Sequence, residues 1–361
     1  MLYSNYTKQR NGKTWEKYRK QRNLVNKLKK NSMKNYFLER CSGGSKPCDF
    51  WKTMEPFFSK KSNSGEQKLV LNENSKIVND TKQVTEHFNT FFSTVTEKIG
   101  NGVAYDQSTH SSILEIRKHS NPDINFEFQK TTTEKIEKIV NKINIKKATG
   151  CDGIPAKIVK HSRSVFAAQL TDLINLSVDS GVFPDRLKQA QVTPLYKKNY
   201  PLEKTNYRPV SVLPIFSILY EKGLEIQLSD FFDKIFDPYL CAFRRDHGCQ
   251  TTMLRLLKDW REALDKNYYA AAVLMDLSKA FDCLPHDIFL DKLSFYGVSY
   301  HSVSLLKSYL TNRKQQIQIS SILRGWTDIQ KGVPQGSILE PLLFNVFIND
   351  IFFVYKARFT I

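Results

Sequence analysis

Two stretches of this chain have residue types that could do chemistry together. Asp276 closes an apolar run, Ala270-Ala271-Ala272-Val273-Leu274-Met275, and a turn sequence, Gly332-Val333-Pro334-Gln335-Gly336-Ser337, follows further on. The run holds nothing polar, so it reads as a strand over 270–276 buried on both faces. A carboxylate at its end sits at the rim of a sheet, where it can hold a divalent cation without full desolvation. The backbone carbonyl of Leu277 can add an oxygen to the same ion. Phosphoryl transfer commonly uses two metal ions about 4 Å apart, which one carboxylate cannot hold, so a further carboxylate pair is required. Asp282 and Asp287 are near in sequence, but Asp282 reads as a hydrogen-bonding residue of the turn before Pro285. In the second stretch Pro334 fixes φ, Gly336 allows close backbone approach and Ser337 can cap the following helix. Gln335 then projects from a rigid turn. The plain alternative is an ordinary loop-to-helix junction; Leu342, Leu343, Val346 and Phe347 give the helix a buried stripe.

Two cationic segments lie upstream. Val192–Lys198 leads into Asn206–Pro214, so Lys197 and Lys198 end one extended segment and Arg208 begins the next. A hairpin of this kind can point cations at a triphosphate, although an exposed lysine pair is more often only solvated. Arg208, between Tyr207 and Pro209, is the stronger candidate. Further on, Phe243-Arg244-Arg245 suits contact with a nucleic-acid backbone. His247 and Cys249 lack zinc-site spacing and read as structural.

The whole chain has 361 residues, 41% of them hydrophobic with 24 Phe, enough for a sizeable core and more than one domain. Its formal charge is +18, and residues 1–35 hold eleven Lys or Arg against one acid, Glu16. Such an arm serves a polyanion, nucleic acid first among them, or is simply a solvated helix or tail. Six cysteines at 41, 48, 151, 241, 249 and 283 form no metal-ligand cluster and read as reduced. Asn345, Asn349 and Asp350 interrupt the apolar C-terminal stretch, so no membrane span is expected. The basic N-terminus lacks the apolar segment of a secretory signal. Nucleus and cytoplasm are the expected compartments.

The elements that must position these residues follow from periodicity. A long basic helix is expected over 1–35, ended by Cys41-Ser-Gly-Gly-Ser45. An apolar patch follows at Phe50, Trp51, Met54, Phe57 and Phe58, then a polar loop over 60–67. A hairpin is expected around Asn72-Glu73-Asn74, a helix over 82–99 and a loop over 101–123. Thr131 and Glu134 have capping-box spacing ahead of Ile136, Ile139, Val140 and Ile143. Helices are expected at 154–159, 164–178, 215–232, 286–296, 300–311 and 337–352, and strands at 191–196, 210–213, 314–320 and 325–331. Met253, Leu256, Leu257, Trp260 and Leu264 make a helical stripe of the kind that is usually core.

Taken in order, KATGCDGIPAKIVK, VTPLYKK, NYRPVSVLP, AFRRDHGCQTT, MDLSKAFD and GVPQGSILEP resemble the reverse transcriptases of non-LTR (LINE-type), jockey-like retrotransposons. MDLSKAFD corresponds to motif A of that family and GVPQGSILEP to motif B. The resemblance implies RNA-templated DNA synthesis from a DNA primer, with dNTPs as substrates and Mg²⁺ or Mn²⁺ as cofactor. It makes Asp276 the catalytic metal ligand, joined by the Leu277 carbonyl. Phe281 becomes the ring beneath the incoming sugar, excluding a 2′-hydroxyl. Gln335 and Gly336 line the nucleotide site, Lys198 and Arg208 contact triphosphate or template, and Arg244 and Arg245 contact nucleic acid.

The implied fold is α/β (α+β), a right-hand polymerase's fingers and partial palm with a basic helical extension. Its expected division is 1–66 as arm and linker, 67–145 as an N-terminal extension, 146–268 as fingers and 269–361 as partial palm. Glu340 departs from the pattern, which has a small residue there; a carboxylate at that turn could crowd or repel nucleic acid, or simply mark a decaying copy. The paired aspartates of the Ala-Asp-Asp motif, the primer grip and the thumb do not occur before Ile361, and no endonuclease precedes residue 1. The expectation is therefore a fragment inactive by itself. A noncatalytic nucleic-acid-binding remnant is the rival, and a poorly folding piece with an unpaired sheet edge is the third possibility.

Overall fold

Residues 13–41 contain neither Gly nor Pro and are rich in Lys, Arg, Gln and Leu, all good helix formers. In the computed structural model, which describes residues 12–41, 69–95, 106–121, 123–277 and 279–354, they form helix α1, Gly12–Cys41. The chain separates into two units, Met1–Gln67 and Lys68–Ile361. In the first unit Leu24, Val25 and Leu28 of α1 are all exposed, so no apolar face holds the described helix. The expected break at 42–45, the aromatic patch at 50–58 and the loop at 60–67 lie outside the described residues.

The second unit opens with the hairpin β1 (Leu71–Glu73) and β2 (Lys76–Val78), turned by Asn74 and Ser75 at positive φ. Helix α2 (Thr81–Thr94) starts where the Asp80 carboxylate accepts the Gln83 N–H at 3.1 Å. Then come α3 (Ser111–His119), α4 (Thr133–Lys142), α5 (Ala156–His161) and α6 (Arg163–Ser180). A 3₁₀ turn at Asp185–Lys188 leads into β3 (Gln189–Tyr196) and β4 (Tyr207–Val212). These are followed by α7 (Ile215–Phe232), α8 (Cys249–Asp265), α9 (His286–Phe295) and α10 (Tyr300–Leu310). The chain continues through β5 (Arg313–Ile319), β6 (Ile322–Leu323) and β7 (Thr327–Ile329) to α11 (Glu340–Ile348) and α12 (Ile351–Val354).

The larger sheet runs β4-β3-β5-β6, with β7 also paired to β5. β3 and β4 are antiparallel, with Leu195 opposite Arg208; β3 and β5 are parallel, with Val192 opposite Ile317. Alternation sends Val192, Tyr207, Ile317 and Ile319 to one face, where Val84, Phe88 and Phe92 of α2 cover them. The main core lies among the helices. The stripe Ile136, Val140 and Ile143 of α4 packs with Leu170 and Ile174 of α6, Leu224 of α7, and residues of α9 to α11. Lys292 of α9 and Asp350 form a buried ion pair at 2.5 Å, and the same ammonium donates to the Phe347 carbonyl at 2.7 Å. No helix among the described residues is long and apolar enough to cross a membrane.

Three local expectations need correction. Residues 111–119, expected as loop, are α3, whose Ile113 and Ile116 are buried. The cap of α4 is Thr132 rather than Thr131. Most consequentially, 270–276 is not a strand. It is irregular coil, with Val273 85% and Leu274 97% exposed, and no strand of the sheet pairs with it. Helix α8 forms as expected, yet none of its residues is buried, and Met253, Leu254, Leu257 and Leu264 face solvent.

Candidate functional site: the Pro-Gln-Gly turn and its seat

Residues 332–337 are held from three sides. From motif A and the residues just after it, the Phe281 carbonyl accepts the Val333 N–H at 3.0 Å and the Leu284 carbonyl accepts the Gly332 N–H at 2.9 Å. His286 Nε2 lies 2.8 Å from the Gly332 carbonyl. From the sheet, Ser211 on β4 donates its N–H to the Gln335 carbonyl at 2.8 Å. Both glycines are required by this crowding. A Cβ on Gly332 (φ +80°) would stand 2.4 Å from the Asp282 carbonyl oxygen, and one on Gly336 (φ +108°) 2.9 Å from that of Ser211.

The side chain of Gln335 is engaged as well: its Nε2 donates to Asp282 Oδ1 at 2.8 Å. Asp282 is therefore the tie between motifs A and B, the hydrogen-bonding role its turn position suggested. Burial pushes its carboxyl above the usual range, opposed by the Gln335 bond and by Lys279. Lys279 is itself half-buried, its ammonium 4.2 Å from the centre of the Phe91 ring, and burial pulls its pKa down. Phe281 packs between Phe344 of α11, with ring centres 4.8 Å apart, and Phe243, at 6.0 Å. A cavity of ≈ 30 Å³, room for about one water, lies among Ser211, Asp282, Gln315, Lys331 and Gln335.

Carboxylates organise the start of α11. Ser337 Oγ accepts the Glu340 N–H at 3.0 Å, and the Glu340 carboxylate accepts the Gly336 N–H at 2.5 Å. This variant of a capping box satisfies two otherwise orphaned donors. Glu340 is thus buried and directed at its own turn, not at nucleic acid, which corrects the expectation drawn from its departure from the family pattern. Burial pushes its pKa up to about 7; the Gly336 N–H opposes this, and Asp282 and Glu221 add to it. Glu221 of α7, fully buried, accepts the Ile338 and Leu339 N–H groups at 2.7 and 3.4 Å and the Ser217 hydroxyl at 3.2 Å. Burial raises its pKa, against the pull of Arg313 and of these donors. Sequence reasoning missed Glu221. The available signal was its place in the stripe Ser217, Glu221, Leu224, Leu228 on a largely apolar helix, where a carboxylate must find buried donors.

The remaining named residues are more dispersed. Asp276 and Leu277 stand on the exposed 269–277 coil. Lys198 lies just beyond the Lys197–Asn206 backbone bond that closes the β3–β4 hairpin, and Arg208 is three residues from Ser211 on β4. Both are exposed, and alternation puts Arg208 on the sheet face opposite Pro209 and Ser211. Arg244 is turned inward. It bonds the Asp233 carboxylate at 3.3 Å and the carbonyls of Asp233, Asp237 and Leu240, and stacks over Phe236. Arg245 is exposed.

A divalent-metal site was tested against these positions. Among the described residues no group of three or more His, Cys, Asp or Glu is placed to hold a metal ion. Glu221, Glu340 and Asp282 each already accept an N–H donor, and burial disfavours their ionised forms. The described residues, Asp276 included, do not make up a two-metal centre.

A carboxylate-bearing turn pinned beneath a Pro-Gln-Gly turn, beside a basic hairpin, is an arrangement that comparison with known proteins can test. Residues 195–361 match the reverse transcriptase (RNA-dependent DNA polymerase) family. The chain is 30% identical over 222 residues to a probable RNA-directed DNA polymerase from transposon BS of Drosophila melanogaster, covering 60% of this chain and 24% of that protein. It is 28% identical over 223 residues to the RNA-directed DNA polymerase from mobile element jockey of Drosophila funebris, covering 61% and 24%. A probable RNA-directed DNA polymerase from transposon X-element of Drosophila melanogaster is 28% identical over 221 residues, covering 60% and 24%. This chain carries a reverse transcriptase-family domain of mixed helix and sheet. Beyond that domain it is similar to the polymerases of jockey-like, LINE-type non-LTR elements, and it spans about a quarter of the length of these relatives.

Proposed function

We propose that this chain supplies the fingers and part of the palm of an RNA-directed DNA polymerase, with α1 as a basic extension. Its partners are an RNA template, a DNA primer and dNTPs. The observation that carries the reading is the Gln335–Asp282 bond, which joins motif A to the Pro-Gln-Gly turn of motif B within the family match. In this reading Phe281, Gln335 and Gly336 belong to the nucleotide site, Phe281 setting sugar selection. Lys198, Arg208 and Arg245 are the cations left facing solvent for triphosphate or nucleic acid, while Arg244 braces the loop that carries Arg245. Asp276, with the Leu277 carbonyl, is the catalytic ligand offered to Mg²⁺ or Mn²⁺. No group of carboxylates that could hold a metal pair stands among the described residues, and the expectation put to test is that these residues alone incorporate no nucleotide.

That same shortfall favours a second reading, a noncatalytic nucleic-acid-binding remnant of a mobile element. Primer extension on an RNA template with Mg²⁺ or Mn²⁺, combined with a binding assay on the same primed template, separates the readings. Salt-sensitive binding without incorporation is expected. Incorporation abolished by Asp276→Ala would overturn the inactivity, and absence of binding would overturn both readings.

A further inference from the structure

Outside the basic arm, most of the excess charge sits in one segment. Residues 1–35 account for +10 of the formal +18, and residues 130–163, with nine Lys or Arg against three acids, account for +6. That segment folds as α4, the loop after it, α5 and the start of α6. It borders an open, shallow concavity of ≈ 540 Å³ lined by Ile143, Asn144, Ile145, Lys160, His161 and Arg163. No acidic residue lines it. The Lys160 ammonium reaches across to the Ile143 carbonyl at 3.1 Å, which fixes one wall against the other. The exposed His161 has its Nδ1 2.6 Å from the Lys157 carbonyl. Lys142 and Lys146 flank the 143–145 wall in the chain and are exposed, as is Arg163.

The contrast with neighbouring lysines is informative. Lys130 pairs with Asp179 at 2.8 Å. Lys147 is half-buried, and burial pulls its pKa down, opposed by the charge of Glu221. Among the described residues Lys142, Lys146, Lys157, Lys160 and Arg163 make no ion pair. Clustered like charges without counter-charges repel one another, and a polyanion relieves that repulsion while releasing its own counterions.

We propose that this concavity, remote in sequence from motifs A and B, binds the phosphodiester backbone of a nucleic acid. The choice of polyanion rests on the polymerase reading above. The contact is to backbone, since Lys and Arg over a wall of main chain and Ile offer phosphate oxygens a site but no pattern of donors and acceptors to read a base.

The test is the salt dependence of binding by the full chain to a primed RNA template and to a single-stranded RNA. Two variants are compared with the unaltered chain: Lys160→Gln/Arg163→Gln, and Lys142→Gln/Arg163→Gln, which leaves the Lys160 bond to Ile143 in place. Lys118→Gln, removing an exposed lysine paired with Glu115, is the control. Each lost phosphate contact should make the slope of log affinity against log salt shallower by about 0.7 to 0.9. The expected change is therefore about 1 to 2 for each double variant, with the control unchanged and all chains melting alike. Unchanged slopes in both double variants, while the unaltered chain binds, would overturn this surface and leave the polymerase reading intact. Failure of the unaltered chain to bind either nucleic acid would overturn both.

Discussion

Replacing Glu340 by Gln should make the chain more stable at pH 8 and flatten its stability below neutrality. The Glu340 carboxyl, ordinarily near 4.5, is held at about 7 in the folded chain, chiefly by burial. The folded state therefore binds this proton more tightly than the unfolded one. The resulting stabilisation is fully present below about pH 4.5 and is lost as pH rises through about 7. At about 1.4 kcal/mol per unit, the gap amounts to on the order of 3 kcal/mol. The glutamine oxygen can still accept the Gly336 N–H, so the turn keeps its cap. Asp282 and Glu221, also raised by burial, act in the same direction but remain in both proteins. The difference between the two pH profiles thus isolates position 340. Urea unfolding followed by circular dichroism at pH 5.5 and pH 8 reads it directly. Equal pH dependence in the two proteins, or a glutamine variant that is no more stable at pH 8, would refute the placement of this carboxylate beneath the turn.

Other perturbations probe the same seat and its support. Gly332→Ala forces a Cβ to 2.4 Å from a carbonyl oxygen at a left-handed φ, and should cost about 1–3 kcal/mol or more in urea unfolding. Asp350→Ala strands the Lys292 ammonium in the core and should cost about 3–5 kcal/mol, seen as a lower melting temperature. Lys292→Met together with Asp350→Leu should recover much of that loss, because it removes both buried charges. Glu221→Ala orphans the Ile338 and Leu339 N–H groups, and faster hydrogen exchange at those two amides is expected.

Much of the scaffold was legible because its signals are local. The α4 stripe, the α6 and α7 runs and the β3–β4 hairpin all follow from periodicity, and the order of motifs pointed to the family. The failures share one cause. A strand exists only when another chain segment accepts its N–H and C=O groups, and composition alone does not reveal whether one is at hand. The run 270–276 has strand composition but finds no partner in the β4-β3-β5-β6 sheet, so Asp276 is left on exposed coil. The α8 stripe is only partly covered, Leu256 and Trp260 half-buried but Met253, Leu257 and Leu264 exposed, because a helix face is buried only as far as something lies beneath it. Glu340 and Arg244 were misjudged differently. Charged side chains next to motif residues were read as facing nucleic acid, whereas each satisfies backbone or carboxylate groups of its own loop. Only the fold could reveal those partners, since Asp233 precedes Arg244 by a helix end and a turn.

The central claim is that the Pro-Gln-Gly seat is assembled in this chain while the motif A strand is not. Hydrogen exchange of the full chain, resolved to single peptides, tests it most directly. The account predicts slow exchange across 332–339, where Gly332, Val333, Gly336, Ile338 and Leu339 donate to fixed acceptors. It predicts exchange near the unprotected rate across 269–277. Protection of 269–277 matching that of β3 would mean that the strand is paired and Asp276 is held in a sheet, contradicting the account at its core.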